Sequence, residues 1–232
     1  MMDIVYVVHF IPLLARQLPY TLSIIVAVAL CGTSLAFIIT VLRIRRVRVI
    51  SQFLEVYISF VRCIPSILLL FLVYYGLPYL TSLAGNDAMV ANKTFYAVLS
   101  LTLFNGGYMS EVMRPAYLSV ERDQWETADS LGYNYLQKLI HIIIPQALPV
   151  ALPEFGNALI NIMKDTSLLF TIGIVDITGQ ANIYVDNNYG IRQTEIYLAA
   201  AAVYWACALF LAALIKLMEK ICNKNSATKG IV

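Results

Sequence analysis

An all-α bundle embedded in a membrane is the fold class this sequence predicts, and three observations predict it. Of the 232 residues, 60% are apolar and only 13% are charged, against roughly 25% charged in a soluble domain. The mean hydropathy is +0.74. The chain also carries five long stretches almost free of Asp, Glu, Lys and Arg, each near the about 20 residues that cross hydrocarbon as a helix. One membrane domain over residues 18–218 with short loops accommodates them all.

Residues 1–17 are too short to cross, and their apolar character predicts a helix lying on the outer surface. Residues 18–42 hold no charge and form the first span. The arginines Arg43, Arg45, Arg46 and Arg48 follow the apolar run instead of preceding it, unlike a cleaved leader, so the segment is expected to be retained. A second span is expected over residues 57–79, with Arg62 in its first turns. It ends in a Gly/Pro-marked stretch, YYGLPYLTSLAGND. A third covers 94–110 and is extended by Glu111. The fourth, 147–174, contains Glu154, Lys164 and Asp165, and the fifth covers 196–215. Residues 219–232 read as a polar, frayed tail.

Positive charge sets the orientation. With the N-terminus outside, the inner face receives Arg43, Arg45, Arg46, Arg48, Arg114, Arg122, Lys138, Lys216, Lys220, Lys224 and Lys229. The outer face receives only Arg16, Lys93 and Arg192. Five spans then leave the C-terminus inside.

On the inner side this topology leaves a loop over residues 115–145, QWETADSLGYNYLQKLIHIIIPQALP at its heart. It does not read as a linker. Trp125, Ala128, Leu131 and Tyr135 recur at helical spacing. Acidic residues cluster where a helix begins. Gly132 permits a break, a second helix follows over 136–144, and Pro145 re-aims the chain into the fourth span. Either this hairpin packs under its own helices, or it is a docking surface for a cytoplasmic partner, which accounts for more of its mixed chemistry.

Several function classes are excluded. There is no GxxxxGK[ST] phosphate loop, so ATP is not expected to bind this chain. No nucleophile elbow, HExxH motif or potassium-filter sequence appears, and nothing suggests a nucleic-acid partner. Cys31, Cys63, Cys207 and Cys222 lie far apart and His9 and His141 are isolated, so neither a metal site nor a disulfide framework is expected.

Charges inside spans cost about 2.5–3.5 kcal/mol each on insertion scales, so they need a partner or a purpose. Arg62 and Glu111 fall at the same inner level of oppositely running spans and could pair. Asn157, Asn161, Lys164 and Ser167 step along one side of the fourth span. Lys164 or Arg62 offers a donor for a carboxylate, and Asp165 with Thr166 and Ser167 an acceptor for an ammonium; a purely structural polar seam between helices is the alternative. Asn105-Gly106-Gly107-Tyr108 is a weaker candidate for the same pathway, its small residues allowing close packing or a wider cavity.

The hairpin's residues carry a resemblance. Glu126-Thr127-Ala128, then Gly132, then Ile142-Ile143-Ile144-Pro145 resembles the EAA loop of ABC-transporter permeases, with Thr127 and Ile144 in place of the usual Ala and Leu. YISFVRCIPSILLLFLVYYGLP, GGYMSEVMRPAYLSV, QWETADSLG and MKDTSLLFTIGIVDITG resemble the polar amino-acid uptake subfamily, with Cys63 and Ile64 replacing a usual Gly-Thr. The resemblance spans roughly residues 20–215. It implies a type I importer fold, a dimer of permease chains, identical or related, an external solute-binding protein, and an ATPase dimer that carries the ATP and Mg. It implies that Glu126, Thr127, Ala128, Asp129, Gly132 and Pro145 couple to the ATPase, and that KDTSL lies beside the translocation pathway. It places the protein in a bacterial inner membrane with a small polar amino acid as cargo, leaning to L-cystine. Two rivals stay open: an ion-coupled transporter or channel using Asp165 or Glu111, and a membrane enzyme using Lys164 and Asp165. Neither requires the hairpin.

Overall fold

A computed structural model describes residues 3–45, 48–83 and 92–228, with side chains through residue 222. Met1, Met2, Arg46, Val47, the end of the Gly/Pro-marked stretch at 84–91, and 229–232 lie outside the described residues. Those described are helical apart from short connecting turns, without a strand. Helix α1 is Ile4–Ala15, α2 Leu18–Ile44, α3 Arg48–Cys63, α4 Ser66–Leu83, α5 Lys93–Leu118, α6 Arg122–Ser130, α7 Tyr135–Lys138, α8 Ile144–Thr166, α9 Ile177–Asn187 and α10 Gln193–Thr228.

Four helical stretches are long and apolar enough to cross a membrane: Leu18–Ile44, Ser66–Leu83, Tyr135–Ile172 and Gln193–Cys222. The expected third span, α5, has 26 residues, which at 1.5 Å per residue reaches about 39 Å. It is less apolar for a structural reason. α5 packs most extensively on α2 and also touches α3, α4 and α8, burying Ser100, Thr102, Asn105 and Ser110. A helix ringed by other helices need not present hydrocarbon on every face. Glycines let it sit close: a Cβ added at Gly106 would come 2.7 Å from Leu35, and one at Gly107 3.0 Å from Val61.

The expected second span is corrected. Residues 57–79 are not one helix, since the chain breaks at Ile64 and Pro65 between α3 and α4. Proline disfavours helical geometry at the residue before it and cannot donate its own N–H. The span therefore begins at Ser66. Arg62 lies in the last turn of the preceding α3, outside the span that was expected to hold it.

The chain is also not re-aimed at Pro145. α7, a π-helical turn over Leu139–Ile143 and α8 form one helical run into the fourth span. The wider turn absorbs the hydrogen bond that the proline cannot make. That run finishes as a tight 3-10 turn, Ser167–Ile172, stopped by Gly173 at φ +76°. A third departure is the tail, where α10 continues to Thr228. No glycine or proline interrupts the chain until Gly230.

α1 is tied down. Asp3 caps it by accepting from the Val5 N–H. Phe10 and Leu14 pack with Ile177, Ala181, Ile196, Ala199 and Val203 of α9 and α10. A separate core joins α2, α4, α5 and α8 through Ile24, Val28, Leu70, Leu101, Ile162 and Leu169.

Candidate functional site: a polar cavity and an inner hairpin

α3, α5 and α8 enclose a cavity of about 480 Å³. Its wall combines Arg62, Asn105, Tyr108, Asn161, Lys164 and Asp165 with Val61, Leu101, Phe104, Ala158 and Ile162. Asn161, Lys164 and Asp165 come from two adjacent turns of α8, and 3.6 residues per turn brings all three to one side. The Asp165 carboxylate accepts from the Ser66 hydroxyl at 3.0 Å, the first residue of α4. The broken second span thus supplies a ligand to the cluster, which a continuous helix would have aimed differently. Small polar solutes fit such a space: donors on Arg62 and Lys164, an acceptor on Asp165, and amides that serve either role.

Five of the nine residues expected on the pathway line this cavity. Four do not. Glu111 sits below it, holding Arg43 from α2 in a close ion pair and Arg62 from α3 at 3.1 Å. Arg62 therefore stands between the main cavity and a second one of about 350 Å³ that also touches Glu55, Ser59 and Cys63. Asn157 turns to Glu154 at 3.4 Å, beside the Tyr108–Glu154 hydrogen bond of 3.3 Å. Ser167 donates to the Lys164 carbonyl. Thr166 is fully buried and donates to the Met163 carbonyl at 2.7 Å. The stripe of Asn157, Asn161, Lys164 and Ser167 is accordingly split, its middle two residues in the cavity and its ends outside.

Sequence reasoning passed over Ser66, Glu154 and Arg43. Each carried a signal: a hydroxyl directly after a helix-breaking proline, a carboxylate within a span, and the first arginine after one. It also passed over Asp176, which is completely buried where α9 begins. Asp176 accepts from the Gly179 N–H and from the Tyr204 hydroxyl, each at 2.8 Å. Thr178 shares the Tyr204 hydroxyl at 3.0 Å. Burial pushes the Asp176 carboxyl above the usual carboxylate range, although the Gly179 and Tyr204 hydrogen bonds pull the other way.

The hairpin is built as two arms around Gly132, whose φ of +75° is left-handed backbone. Asp129 on α6 and Lys138 on α7 pair across the bend. Glu126 pairs with Arg122 one turn earlier at 2.9 Å. Asn134 and Gln137 exchange the reciprocal hydrogen bonds of a capping box that starts α7. The Trp125 ring lies 5.4 Å from that of Tyr117 near the end of α5, tilted by 59°. Of the face expected from periodicity, Ala128 is buried and Trp125 half-buried, but Leu131 and Tyr135 are exposed. Leu131 closes α6 as its C-cap, and the chain turns at Gly132, which leaves the Leu131 side chain exposed. Leu131, Leu136 and Ile140 instead present apolar surface on the hairpin's outside, 69%, 62% and 50% exposed. Exposed Glu126, Thr127, Asp129 and Gly132 adjoin it, while Pro145 is half-buried.

Among the described residues no three His, Cys, Asp or Glu side chains gather as metal ligands.

Comparison with known proteins points one way. The pattern of the family described as "binding-protein-dependent transport system inner membrane component" matches residues 32–221. The L-cystine transport system permease protein TcyL of Bacillus subtilis (strain 168) is 36% identical over 216 residues, 93% of this chain and 90% of the relative. The probable amino-acid permease protein YxeN of the same organism is 34% identical, covering 96% of this chain and 97% of its own. A second cystine permease protein of that organism, TcyB, is 30% identical over 91% of this chain. A solved structure described as an amino acid ABC transporter with histidines superposes with a TM-score of 0.80 at 28% identity, covering 95% of this chain and 99% of that one.

Proposed function

The chain belongs to the family of binding-protein-dependent transport system inner membrane components, and from that premise we propose how it works: as the membrane-spanning permease subunit of an ATP-driven amino-acid importer. Its fold is that of an ABC-transporter permease, multi-pass and inner-membrane. The single observation that carries the proposal is the pairing of two features in one chain. A polar cavity lies within the helices, and a braced hairpin continues without a break into the helix that lines the cavity.

In this reading the α6–α7 hairpin seats in a groove of an ATPase subunit. Gly132 sets its bend, the Asp129–Lys138 pair holds its arms together, and Glu126, Thr127 and Ala128 shape the contact. Closure of the ATPase pushes the hairpin, and the continuous run Tyr135–Ile172 carries that displacement to Asn161, Lys164 and Asp165. ATP and Mg stay on the partner, and this chain supplies no phosphate-binding loop of its own. A second permease chain completes the pathway, and an outer solute-binding protein delivers the cargo. The N-terminus faces out and the C-terminus in.

The cargo is a small amino acid. Arg62 and Lys164 receive its carboxylate; Asp165, braced by Ser66, receives its ammonium. L-cystine is the favoured candidate because two of the relatives described above carry cystine names, and because about 480 Å³ leaves room for a two-headed amino acid. The ion-coupled alternative gains nothing from the hairpin.

Reconstitution of the chain with its ATPase and binding protein into proteoliposomes, with labelled cystine outside, tests this. ATP-dependent accumulation is expected, competed by unlabelled cystine more than by glutamine or arginine. Uptake by the chain alone, driven by an ion gradient, would refute it.

A further inference from the structure

A second recess differs in every respect from the polar cavity. It is about 200 Å³, almost wholly apolar, and lies between α2, α5 and the run from α7 into α8. Phe37, Val41 and Ile44 form one wall, and Tyr135, Leu139 and Ala147 the opposite one. Residues 37–44 advance about 10 Å along α2, so the recess is a groove of part of an acyl chain's length. Two of its helical stretches, Leu18–Ile44 and Tyr135–Ile172, are long and apolar enough to cross a membrane. Its rim at Phe37, Ile144 and Leu148 is 40–50% exposed apolar surface. Hydrocarbon is what surrounds such a rim.

The end of the groove carries charge. Arg45, the C-cap of α2, holds its guanidinium 5.8 Å from the centre of the Tyr135 ring. Among the described residues neither Arg45 nor Arg48 nor Arg114 has a carboxylate within ion-pair distance. All three are exposed, and Arg45 is the one in contact with the hairpin, through Tyr135. Apolar lining for a tail, with the unneutralised Arg45 at the mouth for a phosphate, is the chemistry that holds an anionic phospholipid.

We propose that this groove binds one anionic phospholipid of the inner leaflet, its acyl chain between α2 and α8 and its phosphate at Arg45. Tyr135 and Leu139 belong to the hairpin, so the lipid contacts the hairpin directly. An anionic headgroup drawing on Arg45 bears on Tyr135 beneath it. The bilayer's composition thereby reaches the lever through which the ATPase acts.

The test uses the intact complex of permease and ATPase. Native mass spectrometry after exchange into an equal mixture of dioleoylphosphatidylglycerol and dioleoylphosphatidylcholine should show one retained phosphatidylglycerol per permease chain. Arg45→Gln should lower that preference about fivefold, the worth of one basic side chain at an anionic surface. Ala147→Phe, which fills the groove, should abolish retention. Should that variant fail to fold, the unmodified complex with a phosphatidylglycerol carrying a diazirine on its acyl chain answers instead. Crosslinks are expected within residues 37–44, 113–117 and 135–151. Equal retention of both lipids, retention that survives Ala147→Phe, or crosslinks confined to other segments would overturn the proposal. So would finding a second polypeptide seated in the groove. The readout is lipid retention, so failure here is distinguishable from failure of the transport reading.

Discussion

Asp165 and Glu111 are both carboxylates inside a hydrophobic chain, yet their surroundings assign them different work. Asp165 has one neutral partner, Ser66, and faces open space. Glu111 has two arginines and is already satisfied. Asp165→Asn keeps size and hydrogen bonding but removes the charge an ammonium would meet. Charged hydrogen bonds contribute about 1.5–3 kcal/mol, so substrate affinity should fall roughly ten- to a hundredfold while the ATPase still co-purifies. Isothermal titration or uptake kinetics on the reconstituted complex would read this. Glu111→Gln instead leaves two arginines facing each other. Breaking a buried pair costs about 3–5 kcal/mol, less here because Arg62 is half exposed; the expected signature is a lowered melting temperature, larger than that of Arg62→Gln. Asp176 supplies a pH test. Its folded carboxyl titrates above the ordinary value because of burial. The folded state thus binds its proton more tightly than the unfolded chain does. That stabilisation is complete below the ordinary carboxylate pKa and is lost as pH rises through the raised one. Melting temperature should decline over that interval, and Asp176→Asn should flatten the decline.

At the scale of elements, the hairpin was the most legible part of the chain and α4 the least. Glu126 and Gly132 announced a bent helical pair through local chemistry alone, and local chemistry decides such a motif, whereas Pro145 stands inside one continuous helical run. Even there, periodicity put Leu131 on the inner face, because a spacing count takes no account of α6 ending at Ser130, which leaves Leu131 as an exposed C-cap. Pro65 was equally visible, but the apolar run on both sides outweighed it, and two helices were read as one span. The cavity's composition was half legible. Lys164 and Asp165 stood out as charges in a span. Asn105 stood out less, and Ser66 not at all, because what brings them to the cluster is the approach of α5 and α4 to α8, which no single segment records. Thr166 was misplaced for the same reason: at i+1 from Asp165 it lies about 100° round the helix and faces the core. Two variants test the elements. Gly132→Pro should abolish substrate-stimulated ATP hydrolysis and leave membrane insertion intact, since proline cannot adopt φ +75°. Gly156→Val should lower stability by about 1–3 kcal/mol, because a Cβ there would meet the Ile215 side chain at 2.6 Å. Ile215→Ala should recover part of that loss if α8 and α10 repack.

The whole molecule is organised as a transmission. α5 is the fixed centre, polar because it is surrounded. In the proposed mechanism α8 is the moving part, joined to the hairpin at one end and lining the cavity in its second half. The proposed mechanism puts the yielding point at the π-helical turn between them, a rare geometry that recurs at functional sites. Fold class, span positions near the termini and the inner hairpin all followed from composition and charge. The interior geometry did not, because it depends on contacts between helices far apart in sequence.

The central claim is that the hairpin connects an external ATPase to this cavity. The most direct measurement is ATP hydrolysis by the reconstituted complex, with and without amino-acid-loaded binding protein, for the native chain and for Glu126→Lys. The account predicts that the native complex is stimulated by loaded binding protein. It predicts that Glu126→Lys loses this stimulation while the chain remains folded and inserted. Equal stimulation in both, or transport that proceeds with no ATPase bound, would contradict it.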